Sequence, residues 1–128
     1  MLEAQTAITV THDRATREFA ERPIDLVHLA RMTLGDRSLE REVLELFMRQ
    51  SALLLGRMTA AGPDAVGNLA HALKGSARGL GAWRVAAAAE AVELVPAGRP
   101  DDLKAAMTRL SATVEEARGI IADLLRAN

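Results

Sequence analysis

Ala70-His71-Ala72-Leu73-Lys74-Gly75-Ser76-Ala77 is the middle of a stretch with helical periodicity that opens at Pro63 and stops near Gly79 or Gly81. A helix turns about 100° per residue, so with His71 at zero Arg78 falls at roughly −20°, Gly67 and Gly75 at roughly −40° and +40°, and Lys74 and Asn68 at roughly −60° and +60°. The imidazole is therefore ringed by polar or missing side chains. On the other side Val66, Leu69, Leu73 and Leu80 make an apolar stripe that faces a core. One face of the helix is buried and the other is presented, with a histidine at its centre. Glycine inside a helix costs about 1 kcal/mol relative to alanine, so Gly67 and Gly75, one turn to either side of His71, call for a reason. A bare surface that lets another protein approach the ring supplies one.

The flanking sequence reads as more helices. Pro23 can open a short helix through Leu26, Leu29, Ala30 and Met32 to a turn at Gly35. Asp36 or Ser38 can cap a longer one, in which Leu39, Val43, Leu46, Phe47, Leu53, Leu54 and Met58 recur at helical spacing before Gly62-Pro63 ends it. Pro63 and Asp64 suit the first turn of the histidine helix, because proline lacks only an amide that would be unpaired there and a carboxylate complements the dipole. Trp83, Val85, Ala89, Val92 and Leu94 mark a fourth segment, and its Ala86 to Ala89 run predicts a seam held tight against a neighbour. After a loop through Pro96, Gly98 and Pro100, a last helix runs from about Asp101 through Leu103, Met107, Leu110, Val114, Ile121 and Leu124. Residues 1–22 are an extension without a clear assignment: Thr6 to Thr11 alternates like a strand, whereas Asp13 to Ala20 suits a helical turn.

A chain of 128 residues with 49% hydrophobic and only 2% aromatic content fits one domain, here residues 23–128, packed with aliphatic side chains. The fold class is all-α. Sixteen basic against seventeen acidic residues leave a formal charge of −1, which disfavours a nucleic-acid partner. No apolar run approaches a membrane span, and the N-terminus lacks the basic-then-apolar order of a signal peptide. Cysteine is absent, which removes thiolate chemistry. A cytoplasmic monomer is the expectation. His12, His28 and His71 are far apart, and nothing matches His-Glu-x-x-His or a nucleotide-cradling glycine loop, so no metal site and no ATP site are expected.

His71-x-x-Lys74-Gly75-Ser76-Ala77, followed by Gly81-Ala82, resembles the histidine-containing phosphotransfer (HPt) domains of two-component phosphorelays, most closely from Asn68 to Glu93. The resemblance implies an antiparallel, up-down four-helix bundle with a short extra N-terminal helix or arm. It implies that His71 is the phosphorylated nucleophile, that Lys74 balances phosphoryl charge, that Gly75 keeps the approach open and that Gly81 marks the turn into the next helix. Members often carry a Gln or Glu on that next helix to bond the ring, and the equivalent here is Glu93, 22 residues after His71. Gly67, Asn68, Gly75 and Arg78 would then meet the partner, beside an apolar patch from the early helices. Implied partners are response-regulator receiver domains and an upstream hybrid histidine kinase, with Mg2+ held in the receiver's acidic pocket and no cofactor on this chain.

The chemistry fits the residue types. A neutral imidazole keeps a lone pair able to attack an acyl phosphate. A carboxylate on Nδ1 would fix the tautomer and offset the cation that forms, and Lys74 would stabilise the phosphoryl oxygens. Rival readings are a helical interaction or scaffold protein in which His71 is incidental, and a degenerate histidine-kinase dimerisation domain. Against the latter, Ala72 and Leu73 follow the histidine where such kinases place an acidic residue and soon a proline. His28 is assigned a solvated or core-edge place, Trp83 a packing place capping the bundle, and Met32, Met48, Met58 and Met107 core positions.

Overall fold

The computed structural model describes residues 22–127. Five helices account for most of them: α1 (Leu26–Met32), α2 (Arg37–Ala60), α3 (Pro63–Leu80), α4 (Trp83–Glu93) and α5 (Pro100–Ala127). No strand occurs among the described residues. The alternating stretch at Thr6 to Thr11, the turn at Asp13 to Ala20 and His12 lie outside them. Consecutive long helices pack on one another and α2 also touches α5, so the four enclose one core, while α1 leans on α3.

The helix ends follow local chemistry. Pro23 does not open α1; Asp25 caps it by accepting the amide of His28 at 3.1 Å. Its own backbone N–H is spent on the carbonyl of Gly81 at 2.9 Å, which fixes the start three residues later than the proline suggests. Of the two candidate caps for α2, Asp36 takes the role, with Leu39 N–H on Oδ1 at 3.1 Å. Pro63 stands at the head of α3 and Gly81 ends it in the left-handed region at φ 90°. Pro100, read as part of a loop, is the first residue of α5. Between α1 and α2 the chain turns through two left-handed residues, Gly35 and, unforeseen, Leu34, whose φ is 53° and whose side chain is 92% exposed. A branched side chain there costs about 1 kcal/mol or more.

Packing corrects several core assignments. On α3 the buried line is Val66, Ala70, Leu73, Ala77 and Leu80, with Leu69 only half-buried at its edge. On α2 the buried line is Leu44, Phe47, Ser51 and Met58, whereas Leu39, Leu46 and Leu53 are exposed. Those three leucines are seven residues apart and so form one stripe, rotated off the core-facing side. Met48 and Met107 are half-buried, but Met32 is exposed, because α1 leans mainly on α3 and buries Leu29 alone. The alanine run of α4 is a seam: Ala86, Ala88 and Ala89 are buried, as are Ala70 and Ala77 of α3. Small side chains on both helices let the backbones come close, and that closeness is what brings the end of α4 onto the presented face of α3.

Candidate functional site

His71 stands on the outer face of α3 with 68% of its side chain exposed. Glu93, the last residue of α4, presents one carboxylate oxygen, Oε2, at 2.9 Å from His71 Nδ1. The other, Oε1, lies 2.6 Å from the ammonium of Lys74, which is only 13% exposed on the turn after His71. Lys74 and His71 together hold the Glu93 carboxyl below its ordinary value, against a smaller opposing effect of burial. An ionised carboxylate can only accept, so the ring donates from Nδ1–H, and in the neutral imidazole this tautomer puts the lone pair on Nε2. The site is thus a nucleophilic nitrogen on an exposed ring, oriented by a carboxylate that is itself held by a lysine. Lys74 points its charge at Glu93, a contact the sequence pattern does not announce.

Gly75 and Asn68 are exposed beside the ring, and Gly67 is half-exposed. At Gly67 and Gly75 a Cβ would meet no heavy atom within 4 Å. Packing inside the chain therefore does not require glycine at either position. Arg78 is 54% exposed and its guanidinium lies 3.8 Å from Glu90 Oε1 of α4, a long solvated pair that leaves the charge available at the surface.

A groove lies between α1, α2 and α3, on the early helices from which an apolar patch is expected, though the sequence does not single out its lining residues for docking. Met32, Leu46, Phe47, Gln50, Gly79 and Leu80 line this shallow, mainly apolar groove of about 180 Å³. The signal that points to it is the exposed heptad stripe of α2, which includes Leu46. Gly79, like Gly75, has open space where a Cβ would go. Among the described residues no group of three or more histidine, cysteine, aspartate or glutamate side chains could hold a metal ion. None of the described helices is long and apolar enough to cross a membrane.

A family model for the Hpt domain matches residues 42–122, which takes in most of α2, all of α3 and α4 and most of α5. The chain belongs to the Hpt domain family. Hpt domains serve phosphotransfer in two-component systems and interact with receiver domains and kinases in phosphorelays. No curated protein and no solved structure matches the chain. The Hpt match begins within α2, so α1 and the groove wall that it supplies lie outside the matched residues, while His71, Lys74 and Glu93 lie within.

Proposed function

We propose that this Hpt domain protein accepts a phosphoryl group on Nε2 of His71 from the phosphoaspartate of one receiver domain and passes it to another. The observation that carries the reading is the exposed His71 ring held through Nδ1 by Glu93 at 2.9 Å. In the step, the Nε2 lone pair forms a bond to phosphorus as the bond to the aspartate oxygen breaks, and the carboxylate leaves with that electron pair. The proton on Nδ1 stays in place. Glu93 offsets the positive charge that the ring gains, a stabilisation that grows as the new bond forms and so acts on the barrier. Lys74 anchors Glu93 and supplies a cation close to the incoming phosphoryl oxygens. The Mg2+ ion belongs to the receiver's acidic pocket, and phosphate enters the relay from a hybrid histidine kinase.

Gly67, Asn68, Gly75 and Arg78 form the contact surface around the ring, and the groove beside Gly79 extends it. A standard interface of about 800 Å² per partner reaches some 16 Å from its centre. Gly75 and Gly79 lie about 6 and 12 Å from His71 along the helix axis, inside that radius. The four long helices run antiparallel, up and down, within a domain spanning residues 23–128 that follows an extension of residues 1–22 and works as a cytoplasmic monomer.

The test is incubation of the protein with a radiolabelled phosphoreceiver. Acid-labile, alkali-stable label on the wild-type chain and none on His71→Gln is the expected result. Label retained by His71→Gln overturns the assignment.

A further inference from the structure

α1 is too short to hold itself. A seven-residue helix has no independent stability, and this one buries a single residue, Leu29. Its position is set by a polar cluster at the turn between α3 and α4. The Asp25 carboxylate uses both oxygens: Oδ1 accepts the His28 amide at 3.1 Å and Oδ2 accepts the indole N–H of Trp83 at 2.9 Å. His28 donates from Nε2–H to the carbonyl of Gly79 at 3.1 Å, and its ring meets Trp83 edge to face at 4.9 Å between centroids. The backbone N–H of Asp25 donates to Gly81. A Cβ on Gly81 would sit 3.1 Å from both the Asp25 carbonyl oxygen and the His28 ring, so a side chain there would crowd the cluster as well as strain the left-handed backbone at φ 90°.

The far end of the helix thus anchored bears on the groove. Met32 is part of its lining, and Leu26, Val27 and Met32 are each about half exposed on α1. A receiver that brings its phosphoaspartate to His71 reaches the groove wall at Gly79, which lies within the radius of a standard interface, and Met32 lines the same groove. We propose that Asp25, His28 and Trp83 form a clasp that sets the place of α1 on the receiver-docking surface, which makes them positioning residues for partner binding. The proposal rests on the phosphotransfer reading and adds a determinant of which Asp25 and His28 lie outside the residues matched to the family and Trp83 within them. The clasp acts through the position of Met32 and its neighbours and leaves the His71 chemistry alone.

Single-turnover transfer from a phosphorylated receiver to the full chain, over a range of receiver concentrations, tests it. The proteins are wild type, Trp83→Phe, Asp25→Ala, Met32→Ala and the doubles that combine Met32→Ala with each clasp variant. Trp83→Phe and Asp25→Ala should each raise the half-saturating receiver concentration about fivefold or more, with the saturating rate within about twofold of wild type. Met32→Ala should weaken binding in the wild-type background and add little once the clasp is broken. Unchanged half-saturation in both clasp variants overturns the proposal, as does a loss confined to the saturating rate, or effects of clasp and Met32 that simply add. Should Asp25→Ala fail to fold by circular dichroism, Trp83→Phe and its double give the same decision. A wild-type chain that takes no phosphoryl group from any receiver defeats the functional reading and the clasp's role with it, an outcome distinct from variants that match a working wild type.

Discussion

Glu93 meets His71 across the α3–α4 pair with one oxygen and holds Lys74 with the other, at 2.9 and 2.6 Å. One carboxylate therefore serves two donors on successive turns of the same helix. The lysine keeps Glu93 ionised and in place, and Glu93 keeps the ring in the tautomer that leaves Nε2 nucleophilic. Lys74 thus acts on the ring through an intermediary, its ammonium held on Glu93.

Replacing Glu93 separates orientation from charge. Glu93→Ala removes both and should slow transfer from a phosphoreceiver by about tenfold to a hundredfold. Glu93→Gln keeps an acceptor for Nδ1–H and should fall between Ala and wild type, because it no longer offsets the cation. Single-turnover rates at saturating receiver decide this; equal rates for Gln and Ala would show that acceptor geometry contributes nothing.

Gly75→Ala should make the protein more stable and less active. The site has room for a Cβ and the residue lies inside a helix, so alanine gains about 1 kcal/mol, a rise of about 2–8 °C in Tm. The same methyl group stands beside His71 on the approach surface and should slow transfer. Gly79→Ala should behave alike if the groove is part of the docking surface. Gly81→Ala is the control of opposite sign: its φ of 90° and the 3.1 Å contacts with Asp25 and His28 predict a loss of stability. Thermal melts and transfer assays on the three variants are sufficient.

The sequence yields a helix when caps and periodicity agree, as at Asp36, Pro63 and Gly81. It yields less about which stripe faces inward. On α2 two lines compete, Leu44-Phe47-Ser51-Met58 and the wholly apolar Leu39-Leu46-Leu53, and only the positions of α3 and α5 decide between them. The ring of residues around His71 is local to one helix and so follows from angular arithmetic. Glu93 comes from another helix; its nearness rests on the alanine seam, visible as composition, and on the family spacing. The Lys74 to Glu93 ion pair, the groove and the Asp25–Trp83 contact depend on residues up to 58 apart in sequence, and no periodicity encodes such pairings.

The two stripes of α2 and the core line of α3 make a stability test. Leu73 is fully buried, and Leu73→Ala should cost about 2–5 kcal/mol by lost burial and a residual cavity. Leu53 is 54% exposed, and Leu53→Ala should stay within about 0.5 kcal/mol. Urea denaturation followed by circular dichroism measures both; comparable losses would mean that the apolar stripe of α2 is buried against something.

Acid should expose the worth of the clasp. Burial pushes the Asp25 carboxyl up, but the Trp83 indole, the His28 amide and the His28 charge together outweigh it and hold the group below its ordinary value. A carboxyl lowered in the folded state gives stability that is fully present above the unfolded value, about 3.9, and is lost as pH falls through the lower folded-state value. Trp83→Phe removes a hydrogen bond to that charge and should cost about 1.5–3 kcal/mol at pH 7, apart from what is lost in packing. The packing loss does not depend on pH, whereas the bond to the carboxylate does. The stability gap between wild type and Trp83→Phe, measured by urea denaturation, should therefore narrow as the pH is taken from 7 to about 2.5. A gap that stays constant over that range would assign the whole effect to packing and leave the Asp25 carboxylate without a role in holding α1.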